Sequence, residues 1–173
     1  MKEYGVGFIC GFFDILHDGH IDILCQAKKQ CSYLIVAVGT DEFMKGRKNR
    51  NSVFSYEQRV EIVRAIRYVD QVVPETNLDK ISAYYKYKFN VMFAGNDHEF
   101  EPAYIDTAKE LKKLGVDTIF IPRKRSISST LIREHIQSGD GIEQNHPGSK
   151  NRSRNNKEIT KRNGKPREEV RSH

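Results

Sequence analysis

The chain has 173 residues, which is enough for one ordinary α/β domain. Hydrophobic residues make up 38% and charged residues 30% of the sequence, a composition typical of a globular protein. No stretch approaches the ~20 consecutive apolar residues of a membrane helix, and the first residues lack the long apolar region of a signal peptide. The three cysteines form no CxxC pair, which argues against a disulfide framework. We therefore expect a cytoplasmic protein without membrane insertion.

The net charge of +6 is distributed unevenly. Residues 141–173 contain 9 Lys or Arg and 4 Asp or Glu, a net charge of +5, and the first 140 residues carry the remaining +1. The tail also has few aliphatic residues and no aromatic residue, so it cannot bury enough surface to offset its ordering entropy. We predict one domain over residues 1–140 and a basic, disordered tail over residues 141–173. Because the domain itself is nearly neutral, we expect it to bind no nucleic acid.

Five short apolar runs in the domain have the length of buried β-strands. The run at 33–39, YLIVAVG, is rich in β-branched residues and suits a central parallel strand. The run at 4–10 is also apolar, in spite of its two glycines. The predicted strands cover residues 4–10, 33–39, 69–74, 91–94 and 118–122.

Helical patterns separate these runs. Ser55 and Gln58 have the spacing of a capping box before the second predicted helix, and Pro102 and Gly115 mark the start and end of the fourth. The predicted helices cover residues 19–31, 56–67, 79–88, 103–114 and 129–137. The alternation of five strands with five helices predicts an α/β, Rossmann-like fold, a five-stranded parallel sheet with helices on both faces.

Polar segments follow four of the predicted strands. Parallel sheets of this kind bind ligands at the carboxyl ends of their strands, near the switch in strand order. The segments at that edge are rich in His, Lys, Arg, Asp or Ser, and cover residues 11–20, 40–50, 95–98 and 123–130. The sequence therefore predicts a polar cleft at this edge.

The first of these segments, GFFDILHDGH, carries the most specific pattern. His17 and His20 lie at a predicted helix start, where backbone amides and the helix dipole attract phosphate, and Gly19 lets a bulky ligand approach the backbone. This arrangement suits a nucleoside triphosphate. The alternatives are a helix cap with a surface histidine, or two ligands of a metal site.

The other three segments allow two interpretations each. The segment at 40–50 holds four cations within six positions, which could bind phosphate or form a solvated basic loop. The three hydroxyl residues at 128–130 could cap a helix or, with the cations at 123–125, bind an anion. Asp97 could bind Mg²⁺ or a sugar hydroxyl, or cap a turn.

Taken together, these segments resemble the cytidylyltransferase branch of the HxGH nucleotidyltransferase superfamily. The resemblance extends over roughly residues 5–136. The motifs that carry it are GFFDILHDGH, GTDEF, SYEQR, IRYVDQVVPE, the Gly95–Asp97 segment and RKRSISST. The last motif matches the signature of the branch, and with IRYVDQVVPE it favours the glycerol phosphate enzymes within it.

The resemblance also implies roles for individual residues. Phe12 stands where a small hydroxyl residue is common in the family, and Lys48 and Arg50 match two lysines of the family in a segment that has one extra residue here. The implied catalytic residues are His17, His20, Lys48, Arg50 and Arg123. The implied nucleotide-binding residues are Phe12, Phe13, Asp14, Gly19, Gly95, Asp97, Arg123, Ser128, Ser129 and Thr130. The implied substrate-binding residues are Lys48, Arg59 and Arg67, and no protein residue is assigned as a direct metal ligand.

The activity implied by the resemblance is transfer of CMP from CTP to a small phosphorylated alcohol, with glycerol 3-phosphate as the favoured acceptor. The products would be CDP-glycerol, a precursor of cell-wall or capsule polymers, and pyrophosphate. Mg²⁺ is expected to bind through the CTP phosphates, and the family suggests a homodimer. The alternatives are phosphocholine, phosphoethanolamine or a sugar phosphate as acceptor, ATP as donor, or a non-catalytic protein that binds nucleic acid through its basic tail.

Overall fold

The computed structural model describes residues 2–122 and 128–139. Five parallel strands form one sheet in the order β3-β2-β1-β4-β5. The strands are β1 (Tyr4–Gly11), β2 (Cys31–Gly39), β3 (Gln71–Glu75), β4 (Val91–Gly95) and β5 (Asp117–Ile121). The α/β, Rossmann-like fold predicted from the sequence is confirmed.

Helices connect the strands, and a single 3₁₀ turn, Asn96–His98, follows β4. The α-helices are α1 (Asp18–Gln30), α2 (Asp41–Lys48), α3 (Tyr56–Arg64), α4 (Lys80–Tyr87), α5 (Pro102–Lys113) and α6 (Ser129–Ser138). The predicted capping box of Ser55 and Gln58 is present at the start of α3. Pro102 is the first residue of α5, and Gly115 follows its end with a φ of 78°, a left-handed conformation that suits glycine.

The core has two apolar layers, one on each face of the sheet. On the first face, α1 and α3 pack through Leu24 and Val63. On the second face, α4 and α5 pack through Ile81 and Leu111. Because side chains alternate along a strand, Ala37 belongs to the second face, while its neighbour Val38 belongs to the first. This alternation decides which side of the cleft each strand-end residue faces.

The structure corrects the sequence analysis within residues 40–50, because residues 41–48 form the helix α2 and not an irregular loop. Thr40 caps α2 by accepting a hydrogen bond from the Phe43 N–H at 3.2 Å, and Asn49 ends the helix with a φ of 51°. Asp41 and Glu42 lie in the first turn and basic residues in the last, which complements the helix dipole. The clustered cations therefore project from a helix end.

The described part of the chain contains no helix long and apolar enough to cross a membrane. The predicted tail and the boundary at residue 140 lie outside the described residues, as do residues 123–127.

Candidate functional site

A cleft of about 280 Å³ lies at the carboxyl edge of the sheet. The strand order places β2 and β3 on one side of β1 and β4 and β5 on the other, so the chain changes direction between β1 and β4. The cleft opens at that switch point, where such sheets bind ligands. All four predicted polar segments contribute to its lining, through Gly11–His20, the end of α2, Gly95–His98 and the start of α6.

His17 and His20 are fixed at the start of α1. The Gly19 N–H donates to Nδ1 of His17 at 3.2 Å, and the His17 N–H donates to Nδ1 of His20 at 3.3 Å. The two rings lie 3.9 Å apart between centroids. Since each Nδ1 accepts a backbone hydrogen bond, each neutral imidazole carries its proton on Nε2. Both side chains line the cleft as hydrogen-bond donors, at a helix end that already favours anions. The expected cap and the expected phosphate site are therefore compatible.

The loop before α1 has an unusual backbone. Phe13 and Ile15 have φ angles of 52° and 51°, in the left-handed region that residues with a Cβ rarely occupy. Phe13 is buried in the core, and its ring centroid lies 5.4 Å from that of His20. The buried Phe13 ring therefore packs against the His20 imidazole.

Asp14 connects this loop to two other segments. Its buried carboxylate accepts hydrogen bonds from the backbone N–H groups of Val53 and Phe54, at 3.0 and 3.3 Å, and forms an ion pair with Arg133 of α6. The Asp14 carbonyl accepts a hydrogen bond from Ser129 Oγ at 2.6 Å. Asp14 lines the cleft, and its contacts within the protein fix the start of α6 beside the histidines.

The start of α6 supplies hydroxyl groups to the same cleft. Ser128 caps the helix by accepting from the Leu131 N–H at 3.1 Å, and Ser128, Ser129 and Thr130 all line the cleft. Two helix N-termini, those of α1 and α6, therefore converge on one space, which is suited to a polyanion. Arg123, the other predicted residue of this motif, lies outside the described residues.

Arg59 has a different environment from the one predicted. Its side chain is fully buried and donates from Nη1 to the carbonyls of Phe12 and Gly39, at 2.6 and 2.7 Å. Nε donates to the Phe54 carbonyl at 3.2 Å, and Nη2 pairs with Asp41 at 2.6 Å. With these donors engaged, Arg59 does not face an acceptor phosphate. It joins the ends of β1 and β2 to α2 and α3, and this corrects its assignment as a substrate-binding residue.

Asp41 is the shared acceptor of the same hydrogen-bond network. It also accepts hydrogen bonds from Ser52 Oγ at 2.7 Å and the Tyr56 N–H at 3.0 Å. Burial raises the pKa of the Asp41 carboxyl, but these hydrogen bonds and Arg59 outweigh that effect and hold the pKa below its usual value. The segment before α3 is thereby attached to the basic helix α2.

Known proteins resemble this chain over most of its length. The cytidylyltransferase-like family model matches residues 8–135. The chain belongs to the cytidylyltransferase-like family. Among its relatives, glycerol-3-phosphate cytidylyltransferase of Bacillus subtilis is 38% identical over 127 residues, which span 73% of this chain and 92% of the relative. FAD synthase of Pyrococcus horikoshii is 40% identical over 135 residues, 73% of this chain and 88% of the relative.

The family assignment confirms the resemblance seen in the sequence and the nucleotidyltransferase class. The fold also agrees with a solved structure, the lipopolysaccharide core biosynthesis protein from Thermoplasma volcanium. That structure has a TM-score of 0.59 and 23% identity, over 70% of this chain and 97% of the other.

A second predicted substrate-binding residue, Arg67, lies away from the cleft. It is exposed in the turn that precedes β3. The carboxyl edge of the sheet holds the cleft, whereas the start of β3 lies at the opposite, amino edge. Arg67 therefore does not line this cleft, because the five residues of β3 separate it from the carboxyl edge of the sheet.

The remaining predicted residues do line the cleft. They are Phe12, Phe13, Gly19, Lys48, Arg50, Gly95 and Asp97. The sequence analysis assigned no role to Arg47, which also lines the cleft from the last turn of α2. The helix explains this omission: Arg47 and Lys48 are adjacent in sequence, and the irregular-loop interpretation gave no basis for choosing among the cations.

The sequence analysis also missed a polar cluster on the second face of the sheet. Glu75 and Lys80 form a buried ion pair at 2.6 Å, with 9% and 6% of their side chains exposed. Cys10 and Glu75 both line the cleft. Burial and the neighbouring Glu75 raise the pKa of the Cys10 thiol to about 12. Burial disfavours the charged form of Lys80, but its interactions with Cys10 and Glu75 outweigh this and raise its pKa.

Proposed function

We propose that this chain transfers CMP from CTP to glycerol 3-phosphate and releases CDP-glycerol and pyrophosphate. The observation that carries the proposal is the convergence of the α1 and α6 N-termini, with the His17 and His20 imidazoles, on one cleft at the switch point. The glycerol-3-phosphate cytidylyltransferases among the relatives support the choice of donor and acceptor.

The nucleotide would occupy the half of the cleft between α1, α6 and Gly95. Backbone amides at the two helix starts and the Nε2–H groups of His17 and His20 would hold the triphosphate. The hydroxyls of Ser129 and Thr130 lie at the same end. Asp97 follows β4 and would accept hydrogen bonds from the ribose or the base. Arg123 is proposed as an additional charge on the nucleotide, by resemblance to the family motif.

The acceptor would occupy the other half, toward α2 and the ends of β2 and β3. Arg47, Lys48 and Arg50 supply positive charge there, which suits a dianionic phosphate. The acceptor phosphate oxygen attacks the α-phosphorus, its new P–O bond forms as the bond to pyrophosphate breaks, and no covalent enzyme intermediate is required. Because two anions must approach each other, positioning and preorganised positive charge carry the catalysis.

Mg²⁺ is proposed to enter with CTP, bound to its phosphate oxygens. The cleft suits an ion held in this way: the oxygen ligands that Mg²⁺ prefers would come from CTP, and the cleft-lining Asp97 carboxylate, whose Oδ2 lies 3.7 Å from His98 Nε2, adds negative charge nearby. When bound, Mg²⁺ would neutralise charge that develops on pyrophosphate.

One specific observation favours a second candidate, since FAD synthases are also among the relatives, for example at 43% identity over 119 residues. In that case the donor would be ATP and the acceptor FMN.

The structure also bears on a third candidate, in which phosphocholine is the acceptor. Tyr84 and Tyr85, which could enclose its ammonium group, lie near the end of α4 at the amino edge, with Lys88 Nζ 5.3 and 4.9 Å from their ring centroids.

The test is pyrophosphate release by the purified full chain, with Mg²⁺ and each of the four ribonucleoside triphosphates. The acceptors are glycerol 3-phosphate, phosphocholine, phosphoethanolamine and FMN. CTP with glycerol 3-phosphate should give the highest kcat/KM. A preference for phosphocholine would change the acceptor and leave the reaction class intact. Turnover with ATP and FMN, and none with CTP, would refute the proposal.

A further inference from the structure

Phe12 and Phe13 are adjacent but point to opposite faces of the sheet. Phe13 is buried in the first layer, next to His20. Phe12 is half-buried, lines the cleft and packs against Phe43 of α2, with 5.4 Å between ring centroids. Phe12 therefore belongs to the half of the cleft that we assign to the acceptor.

The Phe12 ring lies directly on Gly39, the last residue of β2. A Cβ at Gly39 would lie only 2.4 and 2.6 Å from Cδ1 and Cε1 of Phe12, distances that no methyl group could tolerate without movement of the ring. Gly39 pairs with Glu75 across the sheet, and by strand alternation both face the same side as Ala37 and Val73. The glycine thus admits the ring to a position beside Glu75.

The backbone on both sides of this contact is fixed. Nη1 of Arg59 donates to the carbonyls of Phe12 and Gly39 at 2.6 and 2.7 Å. A single buried nitrogen therefore sets the distance between these two backbone segments. Phe12 can rotate its side chain, but its backbone cannot withdraw from the cleft. The backbone that carries the ring is therefore fixed before any substrate binds.

We propose that Phe12 is the specificity-determining residue for acceptor size, and that it restricts the enzyme to short phosphorylated polyols. This inference rests on the proposed function, since it assigns this half of the cleft to the acceptor. Phe12, Phe43 and Leu78 all line the cleft, so three apolar side chains limit the space that we assign to the acceptor. The proposal predicts that a three-carbon acceptor such as glycerol 3-phosphate is accommodated beside the ring, whereas a longer polyol chain would have to displace it.

The experiment compares glycerol 3-phosphate with a six-carbon polyol phosphate, sorbitol 6-phosphate, which keeps the phosphate and hydroxyl chemistry and adds length. The readout is the ratio of the two kcat/KM values with CTP, because a ratio is insensitive to a general loss of turnover. The variants are Phe12→Ala and the milder Phe12→Leu. Phe100→Ala is the matched control, since Phe100 is an aromatic residue that is 84% exposed and outside the cleft lining.

The preference of the wild type for glycerol 3-phosphate should fall by at least about tenfold in Phe12→Ala. One methylene group more or less in an apolar pocket changes discrimination between substrates by about this factor. It should fall less in Phe12→Leu and stay unchanged in Phe100→Ala. An unchanged ratio in both folded Phe12 variants overturns this inference alone. A wild type that uses CTP with neither acceptor overturns the proposed function and this inference together.

The steric contact has its own test. Gly39→Ala should lower the thermal midpoint of the wild type, and the loss should be smaller in the Phe12→Ala background, because the added methyl group then has space. Equal losses in the two backgrounds would contradict the position of the ring and overturn the proposal.

Discussion

Replacement of Arg59 by methionine should strongly destabilise the domain. The guanidinium is fully buried and donates to three carbonyls and to Asp41, with distances between 2.6 and 3.2 Å. Methionine preserves much of the aliphatic packing but removes every donor, so the Phe12 and Gly39 carbonyls lose their partner. Removing one member of a buried charged pair typically costs about 3–5 kcal/mol. Since 42% of the Asp41 side chain is exposed and can be hydrated, we expect about 3 kcal/mol.

The free energy of unfolding is measured by urea denaturation of the full chain, followed by circular dichroism. Arg64→Met is the matched control, because Arg64 is also on α3 but 60% exposed, and its ion pair is with the exposed Glu61. Such surface pairs contribute about 0–1 kcal/mol. Arg59→Lys should fall between the two, since an ammonium keeps the charge but cannot reproduce the fork of donors. A loss below about 1 kcal/mol in Arg59→Met would refute the view that this residue joins the strand ends.

Four further predictions concern the site and its surroundings. His17→Ala and His20→Ala should each reduce kcat about 10²–10³-fold while retaining the wild-type circular dichroism spectrum; turnover near the wild-type level in both would contradict their role. Arg67→Ala should leave kcat/KM for glycerol 3-phosphate unchanged, and a large rise in KM would return Arg67 to the site. Because the pKa of Asp41 is lowered in the folded state, its contribution is present above the ordinary aspartate pKa of about 3.9 and is lost as the pH falls further. Asp41→Asn should therefore show a weaker loss of stability than the wild type between about pH 4 and pH 2 in acid-denaturation curves. Cys10, with its pKa raised to about 12, should resist iodoacetamide at pH 8 in the folded protein and react in urea, as followed by peptide mass spectrometry; rapid alkylation of the folded chain would show that the thiol is not held protonated.

The sequence predicts the sheet well because strands of a buried parallel sheet are short and continuously apolar. All five strands appear within two residues of their predicted bounds. The helix α2 was missed because its four cations and Gly46 suggest a loop, although Thr40 and the acidic first turn mark a helix start. The capping residue Thr40 therefore indicated a helix, but the basic composition of the segment led to the prediction of a loop.

The position of His17 and His20 at the cleft could be predicted, because a short contiguous motif defines it. Arg59 shows the limit of this approach, because a motif gives the identity of a residue but not whether its side chain points into the core. The ion pair of Glu75 and Lys80 could not be found in the sequence, since its residues belong to β3 and α4 and meet only after α4 docks. That Arg67 lies away from this cleft could not be predicted, because the sequence does not show which end of β3 faces the cleft.

The attachment of α6 has a consequence for the motion of the protein. None of the described residues of this helix is buried, and Ser129 and Arg133 connect it to Asp14. A helix held mainly by polar contacts can detach at a lower free energy than the sheet unfolds. The amides of α6 should therefore exchange with deuterium sooner than those of β1 and β2. Any ligand that bridges the starts of α1 and α6 should slow that exchange, so that α6 reports on occupancy of the cleft.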